Sequence, residues 1–311
     1  MIKQEEKTFR STDGVTDIHV VIWYPDEKKY EQPIGVLQIS HGMIDHIERF
    51  AALAEYMAER GYVVAGSDHL GHGDSVVSKD KWGYFSEKDS SYTVVNDLHR
   101  LTGIMKKEYP DLPYFLLGHS MGSFMARRYA MEHGDELTGL MVLGTGNQPA
   151  LMVAGGFLVA GLVGLIKGDS YRSEFLKKLM FGSYNKRIKD LRTNNDWLTT
   201  DEQIVDLYNA DPKCTYTFTV NGNKCVLSTL KFISKKSNIA RIPRNLPVLL
   251  ASGLEDPVGD YGRGVKKLHD LYKHYIDDVE LRLYEGCRHE LHSEKNKDEV
   301  FADLWKWMQQ V

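Results

Sequence analysis

The sequence predicts an α/β fold: a mostly parallel central sheet with helices on both faces and one long helical insert. Three observations carry this. Short apolar runs of strand length alternate with helix-length segments along most of the 311 residues, a pattern that requires crossover helices and therefore parallel strands. One of those runs, Tyr114-Phe115-Leu116-Leu117, leads through Gly118-His119-Ser120-Met121-Gly122 into a helical segment. The alternation stops near residue 146 and resumes near 246, so residues 1–145 and 246–311 read as one core and 146–245 as an insertion within it.

The elements follow in order. Residues from about Glu6 to Trp23 alternate apolar and polar, imperfectly, and read as an antiparallel hairpin at a sheet edge, turning at Thr12-Asp13-Gly14. Ile34–Ser40 is a buried-type strand. A helix of about Ile47 to Arg60 comes next, with Phe50, Leu53, Tyr56 and Met57 at helical spacing and Gly61 as its stop. Tyr62–Ala65 is a strand running out at Asp68, Gly71-His72-Gly73 is a loop, and a helix covers about Thr93 to Tyr109. The helix after Ser120 spans Met121–His133, and Gly139–Leu143 is the next strand. Beyond the insert come strand Pro247–Ala251, a helix of about Tyr261 to Tyr275, strand Val279–Tyr284 and a closing helix from Lys297 to Gln310. In such sheets ligands lie outside the carboxyl ends of the strands. Ser40–Met43, Asp68, Ser120 and the loops after Ala251 and Tyr284 all fall there.

A strand that reverses sharply into a helix crowds the residues two before and two after the apex. Gly118 and Gly122 relieve that crowding, so Ser120 can be held exposed on a strained backbone. The helix start aims free N–H groups and its positive dipole end at whatever Ser120 attacks. A serine hydroxyl requires a base, and the base an orienting acid. In this architecture they follow along the chain as serine, acid, histidine. Asp256 stands just beyond the strand ending at Ala251, and His289 just beyond the next strand. Ser120 is therefore read as nucleophile, His289 as general base and then acid, and Asp256 as its orienter. Glu255 is the alternative acid and His292 the alternative base. The oxyanion donors are read as the N–H groups of Met121 and Met43. Asp68 and Asp97 are read as structural acids, and His41, His69, His72 and His119 as residues that hold loops.

Composition narrows the partners. Hydrophobic content of 42% with 26% charged residues is ordinary globular composition. A net charge of −4 argues against nucleic acid, which requires concentrated basic surface. The start, Met-Ile-Lys-Gln-Glu-Glu-Lys-Thr, lacks the apolar core of a signal peptide. The three cysteines, Cys214, Cys225 and Cys287, form no CxxC pair and no metal spacing. They read as free buried thiols of a cytoplasmic protein, with no metal and no cofactor expected.

These motifs resemble the α/β-hydrolase family, and more closely its monoacylglycerol lipase and lysophospholipase group. The shared features are His41-Gly42-Met43 with His46 and Arg49 following, Asp68-His69-Leu70-Gly71-His72-Gly73-Asp74-Ser75, Gly118-His119-Ser120-Met121-Gly122, Gly253-Leu254-Glu255-Asp256-Pro257-Val258 and Arg288-His289-Glu290. They span nearly the whole chain apart from the insert. The resemblance implies a cofactor-independent serine hydrolase acting on a monoacylated lipid ester, with the insert as a helical cap over the site. Broad carboxylesterases and aminopeptidases share these motifs. An aminopeptidase would require cap acids to hold a substrate ammonium, for which Asp190, Asp196, Asp201 and Glu202 are the candidates. A non-catalytic lipid carrier is the third class, and an intact serine, acid and histidine argue against it.

Within the insert, Ala150 to Ile166 is an uncharged apolar run just short of a membrane span. Three readings stand: a cap element lining an acyl tunnel, a helix packed in the core, or a surface in transient contact with membranes. Lys167, Arg172, Lys177, Lys178, Lys186, Arg187 and Lys189 follow it, either to meet an anionic lipid surface or as solvated helix faces. Head-group preference, acyl length and oligomeric state are not legible in the sequence.

Overall fold

A computed structural model describes residues 2–311. Eight strands form one sheet in the order β1-β2-β4-β3-β5-β6-β7-β8. They are β1 (Lys3–Arg10), β2 (Asp17–Tyr24), β3 (Gly35–Ser40), β4 (Tyr62–Ser67), β5 (Tyr114–His119), β6 (Gly139–Leu143), β7 (Val248–Gly253) and β8 (Val279–Tyr284). Only β1–β2 and β2–β4 pair antiparallel; β3 to β8 run parallel. The helices of the core are α1 (Ala51–Ala58), α2 (Ser90–Glu108), α3 (Met121–His133), α9 (Arg263–Tyr272) and α10 (Lys297–Met308).

The apolar strands are buried on both faces because each face has its own helical layer. On one side Val36, Leu116, Val142 and Leu250 pack with Val94 and Leu98 of α2, Met125 of α3 and Leu268 of α9. On the other, Leu37, Leu117, Met141 and Leu249 pack with Leu53 of α1 and Phe301 and Leu304 of α10. This explains the imperfect alternation of β2. Val20 and Ile22 belong to the first layer, and Val21 and Trp23 to the second, so both faces are covered.

Two helix starts differ from the sequence expectation. The helix expected over 47–60 is split into a 3₁₀ turn at Ile47–Phe50 followed by α1, a tightening common at helix N-termini. Helix α2 begins at Ser90, ahead of Thr93, because the Asp89 carboxylate accepts from Tyr92 N and caps it.

Between β6 and β7 lie α4 (Ala150–Lys167), α5 (Glu174–Phe181), α6 (Glu202–Ala210), a 3₁₀ turn (Pro212–Cys214), α7 (Val220–Ile233) and α8 (Lys236–Ile239). Helix α7 joins the core through Cys225, Val226, Leu230 and Ile233. Helix α4 rides on α7 through Val159, Ala160 and Val163 against Val220 and Leu227. The core-packed reading of α4 does not hold: only Val153 and Ala160 are buried. Leu151 is 86% exposed, Leu165 85% and Ile166 77%.

Candidate active site

Ser120 stands between β5 and α3 with φ +53° and ψ −120°, a conformation that L-residues rarely adopt and that marks stored strain. Its own N–H donates to Leu143 O at 3.0 Å, tying the apex to the end of β6. The flanking glycines are required by close approach. A Cβ on Gly118 would lie 2.5 Å from Gly122 O, and one on Gly122 would lie 2.1 Å from Ser40 O. The loop after β3 comes against the apex, for a Cβ on Gly42 would sit 3.3 Å from Ser120 Cβ. Met43 follows in that loop, and Met121 opens α3 directly after Ser120.

The end of β7 meets the end of β8 just as closely. A Cβ on Gly253 would be 2.1 Å from Cys287 O. This brings Asp256 Oδ1 to 3.0 Å from His289 Nδ1, and both residues are fully buried. Asp256 Oδ1 also accepts from Val258 N at 2.8 Å, and its Oδ2 from Ser252 Oγ at 3.3 Å. His289 Nε2 has no hydrogen-bond partner, which leaves it available to a serine hydroxyl or a substrate.

The alternatives separate. Glu255 is exposed and does not pair with His289. His292 stacks on Phe50 at 4.0 Å and has no partner on either nitrogen. Asp68 accepts from Ile47 N and Asp74 N, both at 2.8 Å, and Asp97 from Ser11 Oγ and Thr12 N, both at 2.6 Å. Both hold loops. Among the four loop histidines, His41 Nε2 accepts from His69 N at 2.9 Å, and His69 Nε2 lies 3.0 Å from Ser40 Oγ. His72 and His119 are fully buried. Burial, reinforced by His41 and His289 respectively, pushes each imidazole down to about 3.

Two features escaped the sequence reading. The first is a buried ion network. Arg49 donates to Asp45 Oδ1 at 2.8 Å and makes a two-point pair with Glu290 at 2.9 and 2.6 Å. Asp45 in turn accepts from Gly42 N at 3.2 Å. The loop beside Ser120 and the loop of His289 are thus joined through one guanidinium. Burial alone would raise the Asp45 carboxyl, and the Arg49 charge reverses this and holds it well below the usual carboxylate range. Arg49 and Glu290 stand in the shared motifs, but 241 residues separate them, and no local pattern announces the pairing.

The second is the roof over His289. The Trp197 ring lies 4.9 Å from the His289 ring and packs with Tyr184 at 4.8 Å. Its segment is sewn to the histidine loop. Glu290 N donates to Leu198 O at 2.7 Å, Arg288 Nη1 to Asp196 O at 2.6 Å, and Thr199 Oγ1 to Ser293 O at 3.0 Å. A lone tryptophan in an irregular stretch carries no sequence signal of such a role.

Comparison with known proteins agrees with the geometry. Residues 31–296 match the Hydrolase_4 family model, described as Serine aminopeptidase, S33. The chain is 27% identical to the human monoglyceride lipase over 292 residues, covering 91% of this chain and 86% of that protein. It is 26% identical to a monoacylglycerol lipase of Mycolicibacterium smegmatis, covering 98% and 97%. A thermostable carboxyl esterase from Bacillus coagulans, solved in complex with glycerol, superposes with a TM-score of 0.91 at 30% identity, over 99% of this chain and 98% of that one. With the family model matched across most of its length, the chain belongs to the Hydrolase_4 family, and it is a hydrolase of the α/β-hydrolase fold that groups with the monoacylglycerol lipases.

Proposed function

We propose that this protein is a serine hydrolase that cleaves the carboxylic ester of a monoacylated lipid through an acyl-enzyme. The observation that carries the reading is the buried Asp256–His289 pair at 3.0 Å, with Nε2 of His289 unpartnered, beside a serine strained at φ +53°. Ser120 attacks the ester carbonyl while His289 takes its proton, and Asp256 holds the imidazole in the tautomer with Nδ1 protonated. The N–H groups of Met43 and Met121 hold the oxyanion, and each such donor typically lowers the barrier by about 3 kcal/mol. His289 then protonates the leaving alcohol, and water releases the fatty acid by the reverse sequence. No cofactor takes part in these steps.

Residues 146–245 act as a cap over this site, and the roof formed by Trp197 supports that assignment. The outward apolar face of α4, with Lys167 beside it and Lys177 and Lys178 exposed on α5, supports transient contact of the cap with a lipid surface from which the substrate is drawn. The three free buried cysteines support a reducing, cytoplasmic setting.

The family description favours a second reading, an aminopeptidase. Three of the four candidate cap acids are engaged elsewhere, and the fourth, Asp190, is exposed. Asp196 accepts from Arg192 N and Thr193 N, Asp201 caps α6, and Glu202 lies 3.7 Å from Arg192. The deciding experiment measures fatty-acid release from a monoacylglycerol and from a lysophosphatidylcholine with the same acyl chain, with Ser120→Ala as the blank. Release from either one supports the lipid ester reading. Release from neither, with cleavage of aminoacyl amides, replaces it with the aminopeptidase.

A further inference from the structure

We propose that His46, Asp211 and Cys214 form a binding site for a divalent cation of the zinc class, set between the core and the insert, and that an ion there restrains hydrolysis. The three side chains come from separate places: His46 precedes the 3₁₀ turn before α1, while Asp211 and Cys214 frame the 3₁₀ turn after α6. One donor atom of each lies within 4.8 Å of the other two, and His46 Nε2 is 2.9 Å from Asp211 Oδ2. Tetrahedral zinc with bonds of about 2.0–2.3 Å separates its ligands by roughly 3.3–3.8 Å. Small side-chain shifts convert one arrangement into the other. A set of thiol, imidazole and carboxylate selects zinc-like ions over magnesium or calcium, which take oxygen donors.

The surroundings of the three donors match what a metal site uses to orient its ligands. His46 Nδ1 is buried without a hydrogen-bond partner, and the nearest acid is Glu48 Oε2 at 3.6 Å. When Nε2 turns to the ion, the proton resides on Nδ1 and faces that carboxylate. Asp211 Oδ1 already accepts from Lys213 N at 2.7 Å, which aims Oδ2 toward His46. The two neighbouring cations are neutralised: Lys213 pairs with Asp74 at 2.6 Å, and Arg49 with Asp45 and Glu290. The buried Cys214 thiol gives up its proton to solvent as the sulfur–metal bond forms.

An ion at this place has a route to the chemistry. His46 follows Asp45, whose carboxylate holds Gly42 N–H in the loop beside Ser120. Tyr208 OH donates to Ile44 O at 2.9 Å in the same loop. Metal bonds would add a rigid tie from the insert to that loop and hold the cap in place.

The test uses the full chain in a His99→Ala background, which silences the separate His99–His133–Glu136 cluster. Co²⁺ is added alone and read by absorbance. The expected result is a thiolate-to-cobalt charge-transfer band that saturates at one equivalent, is lost in Cys214→Ser and is weakened at least tenfold in affinity in Asp211→Asn, which keeps the thiol. Zn²⁺ should displace the band and lower the rate on a water-soluble ester at least fivefold, with recovery on adding EDTA and little response in Cys214→Ser. Circular dichroism checks that each variant is folded. Absence of the band, or its survival in Cys214→Ser, overturns the site. A saturated site with an unchanged rate overturns the restraint.

Discussion

Strand β5 and helix α4 are alike in composition and end in opposite environments. All six residues of β5, Tyr114–His119, are buried. Helix α4 has a mean hydropathy of 2.0 over 18 residues, long and apolar enough by those measures to cross a membrane, yet 11% of it is buried. Apolar character states what a segment gains by leaving water; it does not state what will cover it. Strand β5 lies between two neighbours, β3 and β6, with a helical layer on each face, so its side chains have partners in every direction. Helix α4 packs chiefly on α7, with Leu176 of α5 beside Ala160 and Val153 reaching the core, and covers only that narrow stripe. The rest of its apolar surface remains open.

Four measurements test this contrast. The largest effect belongs to the end of the sheet. On the proposed mechanism, Asp256→Asn should lower kcat on a soluble ester by about 10⁴-fold while the fold is retained, as loss of the orienting acid does in serine triads. A drop of less than tenfold would mean that the base is oriented by another group.

Next is stability within the strand. Leu117→Ala in β5 should cost about 2–5 kcal/mol in urea unfolding, because a cavity is left between two packed layers. A cost under 1 kcal/mol would show that the layers around β5 can collapse into the space, and the contrast with α4 would weaken.

The third effect comes from the buried imidazoles. Unfolded histidines titrate near 6.5, whereas His72 and His119 are held at about 3 in the fold by burial. Between those values the unfolded chain carries the extra protons, so stability is complete above the unfolded value and falls as pH drops. His19 opposes this in part, since its bond to Asp68 raises it. His41, His69 and His292 are lowered by burial as well and add in the same direction, so unfolding at pH 5.5 should cost at least about 2 kcal/mol less than at pH 7.5, at roughly 1.4 kcal/mol per unit for each depressed imidazole. Equal stability at the two values would mean that these rings are hydrated.

The smallest effect on the fold should come from α4. Leu165→Ser should change stability by no more than about 0.5 kcal/mol, as expected of an exposed position. The same change should weaken binding to anionic vesicles about tenfold, since burying one leucine contributes about 1.5–3 kcal/mol. A large loss of stability would show that α4 is covered in solution, and unchanged vesicle binding would remove the lipid-surface role.

Much of this was legible before any coordinates. Strand-length apolar runs read directly as β3 to β7, because the period and length of a buried strand are local properties. Helix α3 at Met121–His133 and strand β8 at Val279–Tyr284 have the bounds that the sequence predicts. The glycines at 118 and 122 announced a crowded turn, and the crowding is there. Helix ends were less legible, as α2 shows, because a cap such as Asp89 acts ahead of the periodic residues. Of the candidate site, the serine, acid and histidine are proposed from motif and order, and the fold brings Asp256 and His289 into contact.

Local patterns in the sequence account for the layered sheet, the helical stretch between β6 and β7 and the residue types that arrive at the strand ends. Each depends on spacing within about a dozen residues. The assembled fold accounts for the meeting of Asp256 rather than Glu255 with His289, for Arg49 reaching from Asp45 to Glu290, for the packing of Trp197 against the His289 ring, and for the outward face of α4. The Asp256–His289 and Arg49–Glu290 pairs join residues 33 and 241 positions apart. Such pairings form only when the sheet has closed and the low-dielectric interior makes an unpartnered charge costly. That cost is a property of the assembled fold, and no stretch of sequence carries it alone.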